Sequence, residues 1–126
     1  MENKVFVLFA MIFLHIIDDY KLQGILASMK QKKWWEEQKE YKKLYGRDYI
    51  PALIEHSFSW TFMMMLPIAV VLRFNIGWWS LAYIANMAIH AFIDDLKANK
   101  LKINLVTDQS IHLAQIIVTW LIFVCR

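Results

Sequence analysis

A chain of 126 residues with 59% hydrophobic content, 15% aromatics and a formal charge of +3 carries its apolar residues in a few long blocks, which argues against an ordinary soluble domain. Its one cysteine, Cys125, excludes an internal disulfide and a thiolate metal cage. No nucleic-acid partner is expected, because glutamates dilute the lysines of the most basic stretch.

The first apolar block, Val5–Ile17, resembles a secretory leader only superficially. Glu2 sits beside Lys4, no small-x-small cleavage site follows, and Asp18, Asp19 and Lys21 come instead. A bilayer core takes about 20 residues of helix, so a retained span is predicted over 4–23. The next stretch, "SMKQKKWWEEQKEYKKLYGRDY", predicts an amphipathic helix over 28–46, stopped by Gly46, with Trp34, Tyr41 and Tyr45 on one face. It would either cover the bundle as a solvated helix or lie in the headgroup layer. Further spans are predicted over 51–72, 77–96 and 108–125. The run Met63-Met64-Met65 reads as packing or lipid-facing filler, and Trp78–Trp79 as an interfacial anchor.

The expected fold is therefore all-α: a four-helix transmembrane bundle with an amphipathic helix between its first two spans, forming one membrane domain over 1–126. Lysine and arginine placement orients it. Lys21, Lys30, Lys32, Lys33, Lys39, Lys42, Lys43 and Arg47 precede the second span, and Lys97, Lys100 and Lys102 follow the third. The other side holds Lys4, Arg73 and Arg126. Both hairpin connections are expected in the cytoplasm and both termini outside. Four short spans enclose little space alone, which makes a homodimer an expected partner state.

His15, His56, His90 and His112 all fall at span ends on one side of this topology. His15 and Asp19, His90 and Asp94, and Asp108 and His112 are each spaced i, i+4, so each pair shares a helix face. Imidazoles and carboxylates so placed are ligands for zinc, manganese or iron. The candidate metal ligands are His15, Asp19, His56, His90, Asp94, Asp108 and His112, enough for one or two divalent ions. Each pair alone also reads as a helix-end hydrogen bond, and Asp108 as a helix cap. It is their coincidence with His56 at one depth that favours a site, since an unpaired acid in a bilayer is costly. Two copies of Ile-Asp-Asp-x-Lys, at 17–21 and 93–97, suggest an internal repeat of helical hairpins. Asp18 and Asp95 are expected to face headgroups.

The pattern His-x-x-x-Asp-Tyr-x-Leu-Gln (His15 to Gln23), Leu-x-x-His (Leu53 to His56), His-x-x-x-Asp-x-x-Lys (His90 to Lys97) and Asp-Gln-x-x-His (Asp108 to His112) spans most of the chain. It resembles domain-of-unknown-function family 3307, small bacterial and phage membrane proteins. The resemblance implies a polytopic membrane protein, without an activity to carry over, and picks out His15, Asp19, Gln23, His56, His90, Asp94, Lys97, Asp108, Gln109 and His112. The His-x-x-x-Asp elements are also similar to those of membrane-bound metal-dependent hydrolases.

The expected function is thus a metal-dependent hydrolase at the cytoplasmic leaflet, acting on a phosphoester or phospholipid headgroup. Asp108 is the candidate base, Lys97 and Lys21 face developing negative charge, and Gln23 and Gln109 orient ligands or substrate. The rival reading is non-catalytic: an ion or proton pathway, a host-interaction protein or a structural bundle. Against a conduit, the outer halves of the spans read as uninterrupted by polar groups.

Overall fold

The structure is a computed structural model that describes residues 2–38, 44–73, 75 and 77–126. The described residues form only helices. In chain order these are α1 (Glu2–Ile17), a π-helical turn (Asp18–Leu22), α2 (Leu26–Met29), α3 (Lys32–Glu36), α4 (Tyr49–Val71), α5 (Trp79–Ala98) and α6 (Leu105–Phe123).

The four long helices run alternately up and down. Trp120 Nε1 donates to the Lys4 carbonyl at 2.7 Å, tying the end of α6 to the start of α1. Lys97 Nζ reaches Asp108 Oδ2 at 2.7 Å, tying the end of α5 to the start of α6. α4 packs on both α1 and α5, and α6 closes the bundle between them. Each helix buries residues at helical spacing. On α1 they are Val7, Met11 and His15; on α5, Tyr83, Asn86, His90 and Asp94; on α6, Asp108, His112, Gln115 and Thr119.

These inner faces divide the bundle into two zones. Val7, Met11, Met64, Met65, Ile68, Tyr83 and Ile116 make an apolar core near one end, with Trp60 as its upper boundary. Two methionines of the 63–65 run are thus core packing. At the other end the interior is polar. Meanwhile the outer surface is apolar: Phe6, Phe9, Phe13 and Ile16 on α1, with Tyr20 of the π-helical turn, make an exposed stripe. Similar exposed stripes follow Leu81, Ile84 and Phe92 on α5, and Ile117, Leu121 and Ile122 on α6. By length and composition, α4 and α6 are apolar and long enough to cross a membrane. α1 has 16 residues, and α5 carries Asn86, His90, Asp94, Asp95 and Lys97, so the expected four spans reduce on this measure to two.

The continuous helix expected over 28–46 does not form. It breaks at Lys30–Gln31, where Gln31 is extended (φ −95°, ψ 119°). The cause is tertiary: Asn99 Nδ2 donates to the Lys30 carbonyl at 3.1 Å, and the Lys32 amide donates to Asn99 Oδ1 at 2.6 Å. The α5 terminus thereby takes backbone groups that a helix would have used internally. Trp34 packs on Trp35, and Trp35 on Tyr45. Tyr41 lies outside the described residues.

Trp60 is fully buried, stacks on His90 with ring centroids 4.1 Å apart, and donates Nε1–H to His15 Nδ1 at 2.6 Å. Trp60→Ala is expected to cost about 3–5 kcal/mol through the cavity it leaves. Trp60→Phe should cost closer to about 1–3 kcal/mol, chiefly the lost donor to His15. Denaturant unfolding in detergent micelles measures both; an unchanged stability in Trp60→Phe would show that the hydrogen bond contributes nothing, and equal losses in the two variants that the cavity adds nothing to it.

Candidate metal centre

The polar end of the bundle is built by four helix ends, each of which brings a histidine inward. His15, His56, His90 and His112 are at most 1% exposed, as are Asp18, Asp94 and Asp108, with Asp19 at 6%. His56 Nε2 is the hub. It lies 3.2 Å from Asp19 Oδ1, 3.2 Å from Asp94 Oδ2 and 3.2 Å from His90 Nε2, and His90 Nε2 is 3.7 Å from Asp94 Oδ2. An imidazole nitrogen carries at most one proton, so it cannot donate a full hydrogen bond to three such partners. A tetrahedral ion with ligands at roughly 2.0–2.2 Å spaces them roughly 3.3–3.6 Å apart. The observed spacing is close to that.

His112 stands beside this group, its ring stacked on His90 with centroids 4.1 Å apart. Its Nε2 is 3.3 Å from Asp94 Oδ1 and 3.2 Å from Asp108 Oδ1, and its Nδ1 is 3.1 Å from Gln115 Oε1. Among the described residues, Asp108 Oδ1 is buried without a hydrogen-bond partner. Three overlapping sets therefore converge closely enough to share an ion: Asp19, His56 and His90; His90, Asp94 and His112; and Asp19, Asp108 and His112.

His15 is absent from these sets, contrary to expectation. Its Nδ1 accepts from Trp60, so its Nε2 carries the proton and donates to Gln109 Oε1 at 3.1 Å. Gln109 Nε2 in turn donates to Asp19 Oδ2 at 2.7 Å and Asp108 Oδ2 at 3.0 Å. Trp60, His15 and Gln109 thus form a directed chain of donors that holds two carboxylates, with no lone pair of His15 left for a metal. The expected i, i+4 pairing of His15 with Asp19 is undone by the π turn. The Gln23 amide bonds back to the Asp18 carbonyl at 3.1 Å, five residues earlier. The wider winding brings both Asp18 and Asp19 inward.

Asp18, expected at the headgroups, is consequently fully buried. Its Oδ1 accepts from Ser59 at 2.6 Å, and its Oδ2 is 3.9 Å from His56 Nδ1. Both of those facing atoms lack a hydrogen-bond partner. A metal-ligating imidazole keeps its proton on the outer nitrogen and offers it to a carboxylate, and Asp18 occupies that place behind His56. Asp95 does stay peripheral, with Asn99 and Lys100 as neighbours.

The remaining expected residues separate. Lys97 meets Asp108, as given above. Lys21 is exposed outside the cluster, and Gln23 turns its side-chain amide onto the Asp19 carbonyl of its own turn. Neither reaches the centre, because the π turn ends at Leu22 and the chain leaves through Gly24 at φ +50°. The expected cap role of Asp108 falls to Asn104, whose side chain accepts from the Thr107 amide at 2.9 Å. Two residues had escaped sequence reasoning. Trp60 lies i+4 from His56 and shares its face, a signal that was available. Lys30 had none: it is 5% exposed and its Nζ sits 2.6 Å from Asp94 Oδ2, 64 residues away in the chain.

Comparison with protein-family models, curated proteins and solved structures gives no match.

Lys30 meets a carboxylate that is fully buried. Lys30→Met is expected to destabilise the metal-free protein by about 3–5 kcal/mol, because it strands that charge. Adding Asp94→Asn should recover much of the loss, since it removes the stranded charge. Unfolding of the two single variants and the double variant measures the coupling; additive losses would show that the pair does not interact.

Proposed function

We propose that the chain is a membrane-embedded, metal-dependent hydrolase acting on a phosphoester or lipid headgroup. The observation that carries this reading is the convergence of Asp19 Oδ1, Asp94 Oδ2 and His90 Nε2 on His56 Nε2, each at 3.2 Å, with His90 Nε2 3.7 Å from Asp94 Oδ2. Such a set accepts zinc, manganese or iron. Asp18 would orient His56, while Trp60, His15 and Gln109 would hold Asp19.

A divalent ion held there would acidify a water and polarise a phosphoryl oxygen. Hydrolysis joins the water oxygen to phosphorus, breaks the bond from phosphorus to the leaving oxygen, and passes a proton to that oxygen. The chain contributes two ammonium groups beside the centre, Lys30 and Lys97. These suit an anionic substrate; Lys30 takes the place expected of Lys21.

Support for a bilayer setting comes from α4 and α6, from the exposed apolar stripes and from the buried polar interior. A soluble monomer rarely exposes such continuous apolar surface. With the lysine distribution, this reading puts the centre at the cytoplasmic leaflet of a bacterial inner membrane, with both termini outside. It also carries forward the resemblance to domain-of-unknown-function family 3307.

One observation favours the non-catalytic reading as a second choice. The outer halves of the helices are not uninterrupted: from His112 a polar thread runs through Gln115, Asn86 and Thr119. It is lined by amides and a hydroxyl that already have protein partners, as befits helix–helix glue. Proton flux in proteoliposomes, abolished by Gln115→Leu, would favour a pathway over a hydrolase.

Elemental analysis of the purified chain is expected to find stoichiometric zinc, manganese or iron. His56→Ala and Asp94→Asn should each lower the bound metal at least tenfold and abolish turnover of phosphoesters in a substrate screen. Wild-type protein with no bound metal after reconstitution would refute the reading.

A further inference from the structure

The group around His112 is not needed to explain the first cation position. Yet His112 Nε2 faces Asp94 Oδ1 at 3.3 Å and Asp108 Oδ1 at 3.2 Å, all fully buried. Asp108 Oδ1 has no hydrogen-bond partner although an imidazole nitrogen is within reach. It is therefore misaligned for that bond, and His112 Nε2 is the atom that Asp94 Oδ1 and Asp108 Oδ1 each approach. Asp94 separates its two oxygens between the groups, Oδ2 toward His56 and His90 and Oδ1 toward His112. A carboxylate used in this way is the bridge of a two-cation centre, where ions sit about 3.5–4 Å apart.

Charge decides when the second position fills. Among the described residues, Asp18, Asp19, Asp94 and Asp108 are four buried carboxylates, and Lys30 and Lys97 are the two ammonium groups paired with members of the set. With neutral histidines, two negative charges remain uncompensated, and one divalent cation cancels them. A second divalent cation would leave two positive charges in a buried site, which is as unfavourable as the original deficit. A dianion arriving with it restores neutrality, and two-cation clamps suit phosphoryl groups.

We propose that the working centre is dinuclear: a second divalent cation binds between Asp94 Oδ1, Asp108 Oδ1 and His112 Nε2, and it binds together with a phosphate dianion. The inference rests on the metal-centre reading above and names its substrate class as phosphate-bearing. It makes Asp108 a ligand in place of the base expected from sequence, with Lys97 held on its other oxygen.

The test is Mn2+ binding to the full chain in detergent micelles, by equilibrium dialysis and electron paramagnetic resonance. Three conditions are compared: no phosphate, inorganic phosphate, and phosphatidate added to the micelles. A single equivalent is expected without phosphate, and a second, spin-coupled to the first, when a phosphate group is present. A second equivalent with inorganic phosphate identifies a soluble phosphate as sufficient; one that requires phosphatidate assigns a lipid headgroup. Asp108→Asn should keep the first equivalent and lose the second under every condition. His112→Gln, which leaves the charge unchanged, should do the same, so the inference does not hang on one variant's folding. One equivalent regardless of phosphate, or two in both variants, overturns the dinuclear centre and leaves the mononuclear reading standing. No bound Mn2+ under any condition overturns both.

Discussion

Burying Asp18, Asp19, Asp94 and Asp108 in one end of a narrow helix bundle costs free energy unless donors and cations meet their oxygens. Much of the surrounding structure answers that requirement. Ser59 donates to Asp18, Gln109 to Asp19 and Asp108, Lys30 to Asp94 and Lys97 to Asp108. Lys30 reaches its partner only because the connection between α1 and α4 breaks at Gln31 and is pinned by Asn99. The histidines fill the space that remains. The Nε2 atoms of His56, His90 and His112 point inward at carboxylates or at one another, an arrangement that hydrogen bonds alone satisfy poorly.

The two Ile-Asp-Asp-x-Lys segments show how local winding controls which acids enter the centre. At 93–97 the backbone stays α-helical, so Asp94 is buried while Asp95 lies outside near Lys100. At 17–21 the backbone widens into a π turn, and both Asp18 and Asp19 are buried. The same turn separates His15 from Asp19 and directs His15 to Trp60 and Gln109. Identical residues thus take different places: one copy buries a single carboxylate among the histidines, the other buries two. π bulges often mark functional positions for this reason, since they bring forward a side chain that regular winding would hide.

At its polar end this bundle reverses the polarity of a soluble one. Phenylalanines and isoleucines face outward on α1, α5 and α6, and acids, histidines and amides face inward. A hydrocarbon surround makes sense of both faces, because exposed apolar surface costs nothing there and interior polar groups must find partners within the protein. The polar thread through Gln115, Asn86 and Thr119 meets that demand beyond the centre itself.

The helical class was legible from the blocks of apolar residues, and so was the gathering of His56, His90, Asp94, Asp108 and His112 at one end. Alternating helices bring those ends together, and i, i+4 spacing keeps each side chain on the inner face. Three features were beyond a local reading. The π turn at 18–22 depends on what the helix packs against, and α-helical geometry assumed for His15 and Asp19 misplaced both Asp18 and His15. The break at Lys30–Gln31 is made by Asn99, a residue far along the chain, against strong local helix propensity. The choice of Lys30 over Lys21 as the cation on Asp94 follows from that break. Spacing along the chain determines which residues share a helix face, because that is a property of the helix. Only tertiary structure decides which of them come close enough to share an ion, because that depends on where four separate helices place their ends.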